Sequence, residues 1–518
     1  MHQYDRLPYQ SNPFAETHPR NLAVLARLLG LNPAAPDNCR VLELGCAAGG
    51  NLIPMAWNLP GSRFVGIDLE PLQVETGQRV VEALGLSNIT LAQGDIAELG
   101  EELGRFDYIV AHGVFSWVPD TVREAMLGLY RRLLAPDGVG YISYNARPGW
   151  HVRGMLREML LYHTRGIDDP LAALAAAQDF MQLYGETLAG QPGPLAQHML
   201  AELRSLQGAH PSYLYHEYLE SHNRALLASD FIAAAERHGL RYLCDCQLET
   251  MFPSGLGDAA GNLLDGLQST AEHEQYLDFF NHRTFRQSLL VHAEREPDYD
   301  IDLACLDGWA CAANLAPPDR LDLRRDRPEN FRTAEGREVP VSGALAKAML
   351  AALHARFPAA VAFSELVALA RTEVQRARHG RGPEPEDWHG ELFNLYANSL
   401  VQLVLDPVAA DNTVPEQPRP NALARAWLDQ GATTLPTPWH QSLDTDAFSL
   451  ALLGHLDGRH DRAALLEALA EDLDQGRLDL PGLPRDPSRR RALLGANLDR
   501  LLALFARNGL LEAAPGQV

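Results

Sequence analysis

A strand that runs into a glycine-rich turn is the first place in this chain where chemistry can sit. Val41-Leu42-Glu43-Leu44 reads as a buried strand, Gly45-Cys46-Ala47-Ala48-Gly49-Gly50 as the turn, and Asn51 opens a helix. Small residues let the backbone approach a ligand, and a helix N-terminus offers N–H groups to a pyrophosphate or a carboxylate. The spacing Gly45-x-Ala47-x-x-Gly50 is that of a dinucleotide fingerprint with its second glycine replaced. That glycine is what lets a pyrophosphate sit close. Ala47 therefore favours a cofactor whose near end carries only a carboxylate and an ammonium, which Glu43 is placed to meet directly or through water. Asp68 ends a second strand, Phe64-Val65-Gly66-Ile67, where a carboxylate accepts from both ribose hydroxyls or else is a solvated strand end. Gly94-Asp95-Ile96 ends a third, from which Asp95 can accept from an adenine amino group while Ile96 packs on the ring.

These residues need elements to hold them. Short apolar strands at Arg40–Leu44, Arg63–Ile67, Ile89–Gln93, Phe106–Ala111 and Val139–Tyr144 alternate with helical stretches at Leu22–Leu29, Leu52–Leu59, Pro71–Leu84 and Thr121–Leu134. Buried strands separated by helices specify a doubly wound, mostly parallel α/β sheet. After Trp150 the rhythm changes. Helices are expected at 151–164, 171–184, 229–238 and 274–294, a strand at 242–248, and a Pro-, Asp- and Arg-rich linker at 316–330. From Val341 the chain reads as mainly helical, and the short helices Ala447–His455 and Arg462–Asp472 suit a winged-helix-like module.

Composition narrows the function classes. With 518 residues, 46% apolar and 21% charged, the chain is a multidomain globular protein. It holds no apolar run long enough for a bilayer and no apolar stretch at its start, so a cytoplasmic protein without membrane contact is expected. A net charge of −23 disfavours nucleic acid as a partner. Six cysteines form no CxxC pair or Cys/His quartet, and read as buried free thiols rather than a metal site.

Glu43 with the Gly45–Gly50 turn, then Asp68, then Asp95 resemble the class I S-adenosylmethionine-dependent methyltransferases. More narrowly, three groups of residues resemble the bacterial subgroup that carries a methyltransferase regulatory domain, the rickettsial-type protein lysine methyltransferases. They are Tyr4-Asp5, Pro8-Tyr9, Ser11, Phe14 and Thr17-His18-Pro19; His112-Gly113-Val114-Phe115-Ser116-Trp117-Val118-Pro119; and Ser143-Tyr144-Asn145 with Pro148-Gly149-Trp150. Residues from Tyr218 to Glu294, including Phe285-Arg286-Gln287, resemble that regulatory domain, and the C-terminal part resembles the family loosely. The resemblance implies a Rossmann-like catalytic domain over 1–150 with an N-terminal lid arm. It further implies helices over 151–215 that serve dimerisation, a regulatory domain over 216–315 and a mainly helical domain over 335–518. It implies S-adenosyl-L-methionine as cofactor, contacted by Glu43, Gly45, Cys46, Ala47, Gly49, Asn51, Asp68, Leu69, Asp95, Ile96, His112, Gly113 and Trp117.

Methyl transfer from a sulfonium is a direct displacement, so alignment rather than a covalent triad supplies most of the catalysis. Acceptor residues belong on loops beyond the C-terminal strand ends. His112 is either a base or cofactor contact there, or a hydrogen-bonded packing residue. Trp117 and Phe115 are candidate walls, Tyr144 and Asn145 offer a hydroxyl and an amide at the mouth, and Tyr9 is a candidate lid. His112, Tyr144 and Tyr9 are the catalytic candidates; Tyr9, Trp117, Tyr144, Asn145 and Trp150 would line the acceptor. Aromatic faces hold an ammonium, and burial lowers an amine's pKa, which suits a protein lysine. The same mouth also suits a small-molecule acceptor. A non-catalytic cofactor-binding protein and, more weakly because of Ala47, a dehydrogenase are the other readings.

Overall fold

Residues 11–513 are described by the computed structural model, apart from 253–254, 335, 379–386, 406–407, 409, 411, 481–483 and 485. Helix α1 spans Pro19–Leu28. Five parallel strands follow, β1 Arg40–Leu44, β2 Arg63–Asp68, β3 Ile89–Gln93, β4 Phe106–Ala111 and β5 Leu134–Asn145, linked by α2 Leu52–Asn58, α3 Pro71–Ala83 and α4 Asp120–Leu133. Four helices come next: α5 Trp150–Thr164, α6 Pro170–Ala189, α7 Pro194–Ser205 and α8 Pro211–Tyr218. Leu156, Leu160, Met199, Leu203 and Tyr218 give them a core of their own.

The chain then returns to the sheet. Helix α9 Ala228–Arg237, strand β6 Leu240–Asp245, helices α10 Asp258–Asp265 and α11 Thr270–Asn281, and strand β7 Phe285–His292 complete seven strands in the order β3-β2-β1-β4-β5-β7-β6. Strand β7 runs antiparallel to both neighbours. The helix expected over 274–294 is thus corrected: it stops at Asn281, where His282 takes a left-handed φ of 49°. Phe285–His292 is a central strand buried on both faces, so it lacks the alternation that marks a half-exposed strand. The charge of Arg286 in its interior is satisfied locally. Arg286 Nε donates to both Asp278 oxygens at 3.0 and 2.9 Å, and its Nη1 donates to Glu274 Oε2 at 2.9 Å. The regulatory segment supplies two strands of the catalytic sheet and clusters with it as far as Pro297.

Strand β5 decides which side chains reach the site. Alternation sends Tyr141, Ser143 and Asn145 to one face and Ile142 and Tyr144 to the other. Ile142 and Tyr144 join the core formed with Met126, Leu127 and Tyr130 of α4 and Phe231 of α9.

A second unit comprises residues 12–30, 83–85 and the chain from Asp298 onward. Residues 12–30 of the expected arm region thus cluster with this unit. This unit holds the three-stranded sheet β11-β8-β12, in which β8 spans Ala310–Ala312, β11 Val361–Ala362 and β12 Gln402–Val404. It also holds the pairs β9 Glu329–Arg332 with β10 Glu338–Val341 and β13 Thr434–Pro436 with β14 Ser442–Asp444. Its remaining helices are α12 Ala344–Arg356, α13 Phe363–Ala377, α14 Trp388–Ala397, α15 Ala422–Asp429, α16 Ala447–His455, α17 Arg462–Asp474 and α18 Pro487–Arg507. The expected linker over 316–330 is ordered: the ammonium of fully buried Lys347 donates to the Asp322, Arg325 and Arg327 carbonyls at 2.6, 2.8 and 3.3 Å.

Candidate active site

The turn after β1 takes its shape from three left-handed residues, Gly45, Ala47 and Gly49, with φ of 73°, 46° and 76°. A Cβ on Gly45 would lie 2.5 Å from Val114, and one on Gly50 only 1.9 Å from the Ser11 carbonyl oxygen, so both positions require glycine. The N–H groups expected to stand free for an anion are mostly engaged. Gly45 and Cys46 donate to the Ile67 carbonyl at 2.8 and 3.2 Å, Gly49 to Cys46 at 2.8 Å, and Gly50 to the Ser11 hydroxyl at 2.7 Å. Ala47 donates to Asp68 Oδ2 at 2.7 Å. A turn with so few spare donors is poorly equipped for a pyrophosphate.

What the turn does offer is a carboxylate. Glu43 is 3% exposed; its Oε1 accepts from Asn51 Nδ2 at 2.7 Å, and its Oε2 is buried without a partner. Burial pushes its pKa up to about 7, with Asn51 opposing the shift and Asp68 adding to it. An unpaired buried carboxylate oxygen is costly unless a donor or cation meets it, which fits the ammonium of a methionyl group. Asp68, at the end of β2, is oriented by the N–H groups of Ala47 and of Glu70, the latter at 2.9 Å from Oδ1. Beyond it Leu69 is 57% exposed, an apolar side chain open for a ring to cover. Asp95 is exposed and its Oδ1 caps the turn at Ala97 N at 2.8 Å, with Ile96 half-buried beside it.

The side expected to face an acceptor is built by β4, β5 and β7. His112 Nδ1 lies 2.8 Å from the Tyr141 hydroxyl, and its ring stands at 5.9 Å from Tyr141 and 6.0 Å from Phe285, centroid to centroid. Desolvation pulls its pKa down to about 4, so the imidazole is neutral at physiological pH. Gly113 N–H donates to Ser143 Oγ at 2.8 Å, which fixes the loop after β4 against β5. A strap from the regulatory segment runs over this loop. Arg224 N–H donates to the Ser116 carbonyl at 2.8 Å, its guanidinium pairs with Asp120, and Asn223 Oδ1 accepts from Asn145 Nδ2 at 3.2 Å.

Several expected acceptor residues are placed elsewhere. Tyr144 is 1% exposed, stacks on Phe231 at 4.4 Å, and has its hydroxyl beside Ser288 with its pKa pushed up by burial. It is a core residue because it lies on the wrong face of β5 for the mouth. Phe115 packs edge-on against the same Phe231 ring at 5.5 Å, so it is not a wall either. Trp150 is 6% exposed and lies under the Arg153 guanidinium at 5.7 Å, so it presents no open aromatic face. Trp117 stays half-buried on the loop, Asn145 is 2% exposed against Asn223, and Tyr9 lies outside the described residues. The aromatic groups found around His112 are Tyr141 and Phe285. The alternation Tyr141-Ser143-Asn145 was a usable signal for the first; Phe285 was hidden by the misread strand.

Family profiles match residues 41–138 as a methyltransferase domain, 210–292 as a "predicted methyltransferase regulatory domain" and 416–510 as a "PKMT, C-terminal winged helix domain". An uncharacterized protein of Rickettsia prowazekii is 30% identical over 92% of this chain and 87% of its own length. A second from the same organism is 32% identical over 46% of this chain and 96% of its own. The structure of PKMT2 from Rickettsia typhi in complex with AdoHcy superimposes with a TM-score of 0.83 at 26% identity, covering 97% of this chain and all of that one.

Proposed function

Because the chain belongs to the rickettsial-type S-adenosylmethionine-dependent methyltransferases, which join a regulatory domain and a PKMT-type winged helix to the methyl-transferring sheet, we propose that it N-methylates lysine side chains of a protein. The observation that carries this reading is the likeness to Rickettsia typhi PKMT2 over 97% of the chain, accessory parts included. The character of the acceptor side supports it. An amine must be neutral to attack, and His112, held neutral beside Tyr141 and Phe285, adds no positive charge next to a sulfonium.

In this reading S-adenosylmethionine supplies a methyl group already activated on a positive sulfur. Glu43 Oε2 holds the ammonium of its methionyl end, Asp68 accepts from the ribose hydroxyls, Leu69 and Ile96 flank the adenine, and Asp95 accepts from its amino group. Tyr141 and Phe285 shield the acceptor nitrogen from water, which lowers its pKa by disfavouring the charged form. The strap at Asn223–Arg224 keeps the loop after β4 in place, so that alignment survives while substrate exchanges. Incubating the enzyme with labelled donor and a cell extract tests the reading. Label is expected in protein and, after hydrolysis, in methylated lysine; label confined to small metabolites would overturn it in favour of a small-molecule acceptor.

A further inference from the structure

Strand β7 brings to the acceptor side a residue whose side chain has no role so far. Ser143 stands opposite Gln287, and Asn145 opposite Phe285. Directly opposed residues of an antiparallel pair project to the same face. Gln287 therefore shares a face with Tyr141, Ser143 and Asn145, next to the Gly113–Ser143 hydrogen bond and the Phe285–His112 ring contact. Its backbone is fully committed: the N–H donates to Asp245 at 3.2 Å and the carbonyl accepts from Cys246 at 2.9 Å. Its side chain is 6% exposed, and Oε1 is buried with no donor to accept from. A buried polar atom without a partner calls for an explanation in a well-satisfied sheet.

We propose that Gln287 positions the acceptor, its Oε1 accepting an N–H of the incoming primary amine; this rests on the lysine reading above. A neutral amine has N–H bonds to give and one lone pair to aim. An oxygen that takes one N–H fixes the nitrogen and leaves the lone pair free. An uncharged amide does this without the stabilisation of ammonium that a carboxylate would bring, so it leaves desolvation to keep the amine neutral.

The test uses the full chain with labelled donor and a mixture of short random peptides holding one lysine each, with the Nε-acetylated mixture as control. Wild type is expected to label only the free lysines. Gln287→Met, close in size but without the oxygen, should bind the donor as wild type does and lose about tenfold in kcat/KM for the peptides, the size of one neutral hydrogen bond. Gln287→Glu restores an oxygen but adds charge that favours ammonium, and should move the acidic limb of the pH–rate profile up by about one unit. Gln287→Met within twofold of wild type, or Gln287→Glu with an unshifted profile, overturns the assignment, and the second comparison stands alone if the methionine variant does not fold. A wild type that leaves the lysine peptides unlabelled sinks the lysine reading, and this assignment with it.

Discussion

At the scale of single residues, the proposed contact of Glu43 with the donor's ammonium would couple donor binding to pH. Its carboxyl is raised to about 7 because burial penalises its charge and Oε2 has no partner. An ammonium at Oε2 favours the carboxylate, so the pKa of Glu43 is lower in the complex than in the free enzyme. Binding must then expel a proton whenever the free carboxyl is protonated. Affinity is expected to fall by up to about tenfold per unit as the pH drops below 7. Glu43→Gln should bind the donor more weakly at high pH and lose this dependence. Calorimetry one unit on either side of neutrality checks both, and a wild-type affinity unchanged across that span would show that Glu43 does not meet the ammonium. The acids of this candidate site were legible in the sequence because each is tied to a strand that announces itself: Glu43 interrupts the apolar run of β1 just before the glycine turn, Asp68 ends β2, and Asp95 lies just beyond β3. Tyr144 was not, because a strand buried on both faces gives no sign of which neighbour faces the ligand.

At the scale of elements, the buried charges around β7 hold the far edge of the sheet. Arg286 is fully buried between Asp278 and Glu274, and Tyr242 donates to the same Glu274 Oε2 at 3.0 Å. Removing one member leaves charges unpaired in the interior, so Arg286→Ala should lower stability by about 3–5 kcal/mol. A loss below about 1 kcal/mol in the denaturant midpoint would mean that water reaches these groups, as it does for surface pairs. This network also explains why the strand was illegible: Phe-Arg-Gln-Ser-Leu-Leu-Val-His continues a helical run in composition, and only the carboxylates of α11 and β6 make a strand of it possible. Strands β1 to β5 carried their own apolar signal and were readable. In the second unit, His18 and His440 meet edge to face at 5.0 Å, both buried, with His18 held well below its usual pKa and His440 pulled down to about 3. Bases depressed by folding are protonated first in the unfolded chain. Their contribution is therefore complete above pH 6.5 and is lost as the pH falls, by about 1.4 kcal/mol per unit for each. His440 has a left-handed φ of 56°, which asparagine tolerates. His440→Asn should remove one histidine's share of that acid slope in denaturant titrations, and an unchanged slope would place the acid sensitivity elsewhere.

At the scale of the whole molecule, the place of lysine bears on the proposed acceptor. Among 518 residues there is one lysine, Lys347. It is 0% exposed, and its ammonium is held by three carbonyls and by Glu329 Oε2 at 3.1 Å. All of its N–H bonds are directed into the second unit, so the nitrogen is enclosed by its own acceptors and closed to solvent. If the acceptor is a lysine side chain, the folded enzyme is therefore no substrate for itself. Folded chain incubated with labelled donor alone should show no label in the peptide that contains Lys347. The same chain, denatured and offered to folded enzyme, should take label at that one side chain, since unfolding frees the amine. Peptide mapping by mass spectrometry separates this site from the N-terminal amine. Label at Lys347 in the folded chain would show that the cage opens on the timescale of catalysis; a denatured chain left unlabelled there would count against lysine as an acceptor without sequence context.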